Sequence, residues 1–214
     1  MTVRCASCGL VGLVMLAAVP VTSSPPPGTD GLVVVPGRQL GVLGVDGSEA
    51  DLVAAYGAAT VRQTEVELGE GERAVATILF PEDERRRLEI VWQDPVARRR
   101  LERATLRGSA TAWRLPGGMS LGLTLEQVEL LNGGGFEVAG FAWDGGGIVL
   151  SWHGGRLTAT LGPAVKVFFV PDDAAQQRPE FLEVQGDRPF ASDLPALRAL
   201  GPSVGRIVVE FEVP

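Results

Sequence analysis

The sequence is poor in the residues that most often carry chemistry. Its 214 residues include two cysteines, Cys5 and Cys8, and a single histidine, His153. Both cysteines lie in an apolar segment that we expect to be removed on export. The mature chain would then have no disulfide, no zinc–thiolate site and no cysteine nucleophile. A typical zinc site needs several histidine or cysteine ligands, so we expect no metal, no cofactor and no catalytic residue that a motif identifies.

Lysine is almost absent as well. The chain has 19 basic residues, of which only Lys166 is a lysine, against 26 acidic residues, and its net charge is −7. Proteins that bind nucleic acid use basic residues to neutralise phosphates, so this acidic chain is a poor candidate for that class. An apolar fraction of 45% and a charged fraction of 21% indicate a globular protein. The length allows one large domain or two small ones.

The first 23 residues differ from the rest of the chain. Arg4 is the only charged residue before Asp30, and an almost unbroken apolar run covers residues 5–21. A basic start, an apolar stretch and small residues at its end are typical of a secretory signal peptide. We predict a signal peptide at 1–23 and a secreted or periplasmic mature protein that does not span the membrane. An uncleaved membrane anchor is the alternative, because the run approaches the ~20 residues of a spanning helix.

Two segments that lie 76 residues apart share the features of a short capped helix. Residues 48–57 align without gaps with residues 124–133. Each segment begins with a serine or threonine, carries Asp51 or Gln127 three residues later, and ends at a glycine. These are the features of a capping box at the start of a helix and of a left-handed residue after its end. We interpret the pair as a duplicated unit; chance agreement of common capping signals is the alternative.

Alternating apolar residues and turn signals predict many short strands around these helices. We expect strands at 32–35, 62–68, 74–80, 88–92, 107–115, 156–161, 164–170 and 206–213, a brief helix at 94–102, and a last helix that ends near Gly201. Strand and helix do not alternate over lengths that a parallel sheet requires. The sequence therefore predicts an α+β fold of two duplicated units, each a short helix packed on an antiparallel sheet.

The predicted organisation has four parts after the signal peptide. A flexible leader covers 24–31, the first α+β unit covers 32–108, and the second covers 109–170. A C-terminal helix and strand at 171–214 complete the fold. The sequence does not indicate an oligomeric state.

The repeated helix signature, (Ser/Thr)-x-x-(Asp/Gln)-apolar with a following glycine and antiparallel strands, resembles the folding unit of two protein groups. One group is the secreted β-lactamase inhibitor proteins, which are tandem repeats of a small α+β unit. The other is the small outer-membrane assembly lipoproteins of the SmpA/OmlA type, which hold one such unit. The segment with Phe141, Trp143 and Trp152 also resembles exported bacterial proteins of uncharacterised function. The resemblance implies the fold, and no site residue is carried over from it.

A β-hairpin is predicted within residues 130–157, where two alternating runs flank an aspartate and three glycines. Phe141, Trp143, Asp144 and Trp152 could form an aromatic platform with one acid, suited to a sugar, a peptide or a partner side chain. They are the predicted ligand-binding residues. The alternative is structural, because Phe141 and Trp143 share a face that could pack in the core, while Asp144 could hold the turn through backbone amides.

Other candidates have simpler explanations. His153, two residues after Ser151, could act as a general base. No Gly-x-Ser-x-Gly motif is present, however, and the alternative is an exposed histidine at a turn. The glycine runs end a helix or turn hairpins, whereas a phosphate-binding loop leads from a strand into a helix. The arginine clusters at 85–87 and 98–103 are solvated faces or a surface that meets an acidic partner.

These observations predict an exported, non-enzymatic binding module for a protein or a cell-envelope component. The partner would be a protein or a glycan of the envelope, bound through the sheet face or the hairpin loops. The alternative is a carboxylate-dependent hydrolase that acts on an envelope polymer, which would require two acids that face each other across a cleft near Trp143.

Overall fold

The computed structural model describes residue 1 and residues 31–211. The predicted signal peptide after Met1 and the leader up to residue 30 lie outside the described residues. The described part contains five α-helices and twelve strands, together with short 3-10 turns. Every pair of named strands is antiparallel, which confirms the predicted α+β class.

The helices are short and spread along the chain. They are α1 (Glu49–Tyr56), α2 (Leu125–Asn132), α3 (Arg156–Leu161), α4 (Pro179–Glu183) and α5 (Pro195–Leu200). The strands are β1 (Val34–Val35), β2 (Gln39–Leu40), β3 (Leu43–Gly44), β4 (Val61–Gly69), β5 (Glu72–Leu79), β6 (Leu88–Asp94), β7 (Arg99–Arg107), β8 (Glu137–Ala139), β9 (Val149–Ser151), β10 (Val165–Val170), β11 (Pro189–Ala191) and β12 (Ser203–Glu210).

Six strands form the main sheet, in the order β10–β12–β7–β6–β5–β4. Strands β4 to β7 follow one another as a meander, whereas β12, the last strand of the chain, lies between β7 and β10. Two small sheets contain β1–β2–β3 and β11–β8–β9. The insertion of β12 joins the early strands of the main sheet to β10, so the main sheet is complete only when the end of the chain is in place.

One face of the main sheet is buried in the apolar core. Leu79, Ile90, Leu106, Ile207 and Phe169 come from five of its strands, and each is at most 1% exposed. The helices cover this face with residues of the same cluster, which include Leu52, Val128, Leu157 and Leu197. Because side chains alternate along a strand, the residues between these core positions point to the opposite face.

Both predicted helix starts are confirmed. The Ser48 hydroxyl accepts a hydrogen bond from the Asp51 amide, and the Thr124 hydroxyl accepts one from the Gln127 amide. The side chains of Asp51 and Gln127 accept hydrogen bonds from the amides of the two capping residues in return. Helix α2 ends at Gly133, whose backbone is left-handed, as predicted. The local signals therefore identified both helices.

The predicted strand at 156–161 is wrong, because these residues form α3. Leu157 and Leu161 lie one helical turn apart, and both are buried, at 1% and 2% exposure. Gly155 and Gly162 bound the helix. In so short a segment the apolar positions fit a period of two as well as a helical period, and packing of the two leucines in the core decides between them.

Two further predictions of secondary structure are wrong. Residues 94–102 do not form a helix, since the Asp94 carboxylate accepts a hydrogen bond from the Ala97 amide at 2.9 Å and closes a turn between β6 and β7. Residues 107–115 do not form a strand after Arg107. The Ala112 amide donates a hydrogen bond to the Arg85 carbonyl in the loop between β5 and β6, while the Arg114 backbone bonds to Leu32 and Val34. Trp113 nevertheless points inward as expected and is 3% exposed.

The sheets that follow the two capped helices differ in size. Helix α1 leads into the long strands of the main sheet, whereas α2 leads into β8 and β9, which have three residues each. Leu52 of α1 and Val128 of α2 belong to the same core. Both capped helices are present, while the division of the chain into two units and the origin of these units by duplication stay predictions.

The cap of α1 gives a test that depends on pH. Hydrogen bonds from the Ser48 side chain, and then from its backbone, lower the pKa of Asp51. A carboxyl with a lowered pKa in the folded state stabilises the fold above its unfolded pKa of about 3.9, and the effect is lost as the pH falls through the folded value. We therefore expect Ser48→Ala to reduce the free energy of unfolding in urea at neutral pH, and to reduce it less in acid.

The control is the same substitution in an Asp51→Asn background. An asparagine side chain can accept the hydrogen bond from the Ser48 amide and does not titrate. The cost of Ser48→Ala should therefore be the same at every pH in this background. An equal dependence on pH in both backgrounds would show that the ionisation of Asp51 has no part in the cap.

Candidate functional site

The face of the main sheet turned away from the core carries charged side chains at its centre. Alternation along β6, β7 and β12 places the following residues on this face: Glu89, Val91, Arg103, Thr105, Arg107, Arg206, Val208 and Glu210. The register of β7 and β12 sets Arg206 opposite Arg107, Val208 opposite Thr105 and Glu210 opposite Arg103.

This face is concave, because the hairpin of β4 and β5 curls over it. Ala76 and Ile78 of β5 and Val91 of β6 form a second apolar cluster, and they are 1%, 1% and 7% exposed. Val66 and Leu68 of β4 pack against this cluster. The burial of these apolar residues on the side away from the main core fits a sheet that bends toward that side.

A contact between opposite edges of the sheet spans the concave face. The Glu70 amide, at the tip of the hairpin, donates a hydrogen bond to Asp144 Oδ2 at 3.0 Å. The loop that holds Asp144 is fixed to β10 by a bridge between Ile148 and Phe168. Since β4 and β10 are the two edge strands, the Glu70–Asp144 contact joins both sides of the face. We call this concave face, with the hairpin tip and the loop at 143–148, the trough.

The trough encloses space on both sides of this contact. One cavity of about 310 Å³ extends from the hairpin to Trp143, Phe168 and Lys166. A neighbouring space of about 520 Å³ lies toward Thr64 and Arg87. The two share Glu89, Arg107, Arg206 and Asp144 among their lining residues. Together they have the dimensions of a site for a ligand or for a short segment of a partner.

The floor of the trough is the part formed by the outward-facing residues of β6, β7 and β12. Two acids on this floor form ion pairs. Glu89 contacts Arg107 at 3.1 Å and Arg87 at 3.7 Å, and its side chain is 11% exposed. Glu210 contacts Lys166 at 2.6 Å.

Two arginines on the floor have no carboxylate partner among residues 31–211. Arg206 is half-buried, and its guanidinium lies over the Phe168 ring, with 3.6 Å between Cζ and the ring centroid. Burial lowers the pKa of Arg206, and the nearby charges of Arg107 and Arg103 lower it further. Arg103, also half-buried, makes no ion pair with a residue of the described part. The floor therefore has positive charge that its own acids do not offset.

The rim of the trough has the opposite charge. Glu67 and Glu70, with Glu72 and Asp144, line the cavity at the hairpin tip and the facing loop. Glu67 pairs with Arg73 at 3.4 Å. Glu70, Glu72 and Asp144 make no ion pair within the described part of the chain. The trough thus has an acidic rim above a floor with an excess of arginine.

The structure separates the four predicted ligand-binding residues. Trp143 and Asp144 lie at the rim of the trough, and Trp143 is 44% exposed. Phe141 is buried, and its ring stacks on Phe181 with 5.9 Å between centroids. Trp152 packs beside Phe136 at 5.4 Å on the edge of the core. The expected platform is therefore not formed, although half of its members border the cavity.

The backbone explains why Phe141 and Trp143 diverge. Strand β8 ends at Ala139, so the alternation that would place both rings on one face stops before them. Ala142 between them is left-handed, with a φ of 68°. The Trp143 indole then donates a hydrogen bond to the Gly140 carbonyl at 2.8 Å. The hairpin itself is confirmed, since β8 and β9 pair, but its strands are shorter than predicted.

The arginines of the trough were not predicted as site residues. Arg103 belongs to the cluster at 98–103, which was expected to be a solvated face or a partner surface. In the structure Arg98 pairs with Glu49 and Arg99 pairs with Asp94, both away from the trough. Arg206 lies in a strand that was predicted correctly. The sequence signal for these arginines was their alternation with buried apolar residues. This signal places them on the outer face of the sheet but does not indicate which arginine lacks a carboxylate partner.

The other candidate chemistry finds little support in the described residues. His153 Nε2 lies 3.4 Å from Glu137 Oε2 at an exposed position, and the Ser151 hydroxyl accepts a hydrogen bond from the His153 amide rather than from its ring. Within residues 31–211, no group of three or more His, Cys, Asp or Glu residues is arranged to hold a metal ion. No described helix has both the length and the apolar character needed to cross a membrane.

No protein-family model, curated protein or solved structure matches this chain. The resemblance of the helix signature to the inhibitor and lipoprotein units therefore stays a prediction. The geometry of the trough is the basis for the functional proposals below.

The contact between Glu70 and Asp144 can be tested by hydrogen exchange. Loss of the carboxylate in Asp144→Ala removes a charge-assisted hydrogen bond, which is worth about 1.5 kcal/mol. We expect exchange of the Glu70 amide to accelerate by about tenfold. Exchange of the Leu101 amide, which lies in a central strand, should not change.

Asp144→Asn is the matched variant, because its side-chain oxygen can still accept from the Glu70 amide without a charge. Exchange at Glu70 should then be intermediate between the wild type and Asp144→Ala. Equal exchange rates in all three proteins would show that the hairpin tip is not held by this side chain.

Proposed function

We propose that the mature protein is an exported, non-enzymatic binding module that receives a segment of a protein partner in the trough. The observation that supports this proposal most directly is the excess of arginine on the floor of a concave sheet face. Charged groups that are partly removed from water normally have a partner of opposite charge. Arg206 and Arg103 have no carboxylate partner among the described residues, and a bound ligand would supply one.

The export part of this proposal is based on the composition of residues 1–23, which lie almost entirely outside the described part of the structure. The binding part is independent of it, because it depends on residues 61–210. A cell-envelope location is the consequence of both parts together.

A protein partner suits the trough better than a glycan. The walls offer the aliphatic side chains of Val66, Leu68 and Ile148, which match the side chains of an extended peptide. Recognition of a sugar ring would use an open aromatic face, and the Phe168 ring is covered by Arg206. Trp143 is the exposed aromatic residue at this rim. A glycan partner remains an outcome that the experiment below distinguishes.

Hydrolysis of an envelope polymer has less support. A carboxylate-dependent hydrolase needs one carboxyl group that donates a proton and a second that is ionised. Glu89 and Glu210 each form an ion pair with a basic side chain, which occupies the carboxylate that would have to act on a substrate. Asp144 accepts the backbone hydrogen bond that joins its loop to the tip of the hairpin. The arrangement therefore favours binding over this alternative.

Site-specific photo-crosslinking tests the proposed function. A photoreactive phenylalanine analogue replaces Trp143 at the rim or, as the control, Val42. The two positions have similar exposure, at 44% and 47%, and Val42 lies beside α1 outside the trough. In cells that express the chain, we expect a protein adduct of defined mass from position 143 and none from position 42.

A third variant ties the adduct to the trough. Thr105→Trp places a bulky side chain on the floor and should abolish the adduct at position 143. Equal adducts at both positions, or an adduct that persists with Thr105→Trp, would overturn the proposal. An adduct whose added mass resists proteases and is removed by glycosidases would identify the partner as a glycan instead of a protein.

A further inference from the structure

We infer that the trough recognises a peptide segment in which an acidic residue is next to a basic residue, with the acidic side chain on the floor and the basic one at the rim. This inference rests on the proposed function and specifies the chemistry of the ligand. It follows from the positions of the unpaired charges, the backbone that presents them, and the spacing of side chains in an extended peptide.

The first step concerns Arg206. It lies directly opposite Arg107 across the strand pair, and like charges in such a position destabilise a sheet. Glu89 offsets the charge of Arg107, whereas Arg206 has only the ring of Phe168. A carboxylate that binds Arg206 would remove this repulsion and form a charge-assisted hydrogen bond in a partly desolvated place.

The second step concerns Arg103. Its cross-strand neighbour is Glu210, but Glu210 pairs with Lys166 instead. Thr105 lies between Arg103 and Arg107 on the same face of β7 and lines the cavity. Arg103, Thr105 and Arg206 therefore provide donors on one floor, and a carboxylate can accept several such bonds.

The third step concerns the backbone that presents these two arginines. Each directly follows a β-bulge: Glu102 is the extra residue between the Arg103–Val91 and Leu101–Trp92 pairs, and Gly205 is the extra residue between the Arg206–Phe168 and Val204–Phe169 pairs. Bulges redirect side chains, and they occur preferentially next to functional sites. The two unpaired arginines are thus the residues that irregular backbone directs into the trough.

The fourth step concerns the rim. Glu70, Glu72 and Asp144 would repel a ligand that carried only negative charge. A basic side chain near these three acids would be attracted by their negative charge. In an extended peptide, neighbouring side chains point to opposite sides. An acidic residue that points to the floor is therefore followed by a residue that points to the rim, which explains the expected acidic–basic pair.

The experiment uses four nine-residue synthetic peptides that alternate Glu with Lys, Glu with Gln, Gln with Lys, or consist of Gln alone. Calorimetry at low ionic strength measures their binding to the mature protein. We expect the Glu–Lys peptide to bind most tightly, the Glu–Gln peptide more weakly, and the two peptides without Glu not at all. Equal binding of the Glu–Lys and Gln–Lys peptides would overturn the inference.

Substitutions in the trough identify the groups that respond. Arg206→Gln and Arg103→Gln should each weaken binding of the Glu–Lys peptide by about tenfold. Arg188→Gln is the matched control, since Arg188 also lies over a phenylalanine ring, with 4.4 Å between Cζ and the Phe190 centroid, outside the trough. Equal affinities for the Arg206→Gln and Arg188→Gln proteins would overturn the inference. Arg103 stacks on no ring of the described residues, so its variant separates loss of charge from loss of packing.

The rim is tested by a double variant, Glu70→Gln with Glu72→Gln. It should weaken binding of the Glu–Lys peptide and leave the Glu–Gln peptide unchanged or bound more tightly. An equal loss for both peptides would contradict the role of the rim.

Failure of this inference can be told apart from failure of the proposed function. A protein adduct at position 143, combined with peptide binding that does not depend on Arg206, would retain the binding module and reject this ligand chemistry. Binding of polyphosphate or of a polyuronate through Arg206, without peptide binding, would reject a peptide as the occupant. The absence of both the adduct and peptide binding would reject both proposals.

Discussion

The burial of one face of the main sheet under the apolar core determines what the other face can present. Because side chains in a strand alternate, a shift of β7 or β12 by one residue would place arginine in the core and leucine or isoleucine in the trough. Ile207 and Leu106 are both at most 1% exposed, so such a shift would lose several buried apolar side chains. The core thus holds Arg206 and Arg107 in opposite positions although their charges repel.

The curvature of the main sheet turns this charged face into an enclosed site. Bulges at Glu102 and Gly205 increase local bending. Gly205 allows a close approach of β10, since a Cβ atom there would lie 2.7 Å from the Val170 side chain. The hairpin of β4 and β5 then reaches the loop at Asp144. A flat sheet with the same residues would expose the arginines to water, where they would need no partner.

The sequence predicted what local signals determine and missed what distant contacts determine. Signals from neighbouring residues predicted the caps at Ser48 and Thr124 and a strand at 206–213. The structure has both helices at the expected places and a strand over Ser203–Glu210. The trough depends on a hydrogen bond between Glu70 and Asp144, which are 74 residues apart. It also depends on the β-bulges of β7 and β12, which no residue pattern predicts. Trp143 and Asp144 were predicted as site residues from the turn, whereas the proposed role of Arg206 depends on the absence of a carboxylate partner among the described residues.

In the proposed binding role, the distribution of charge in the trough would favour selection of a ligand over tight retention. Exposed ion pairs contribute at most about 1 kcal/mol, so the rim acids add little affinity. They act instead against purely acidic ligands, because like charges brought together cost free energy. The half-buried arginines would act in the other direction, since in the free protein they are partly desolvated without a carboxylate partner among the described residues. An acidic protein with an arginine floor can in this way exclude most of its surroundings and still accept a ligand that carries both charges.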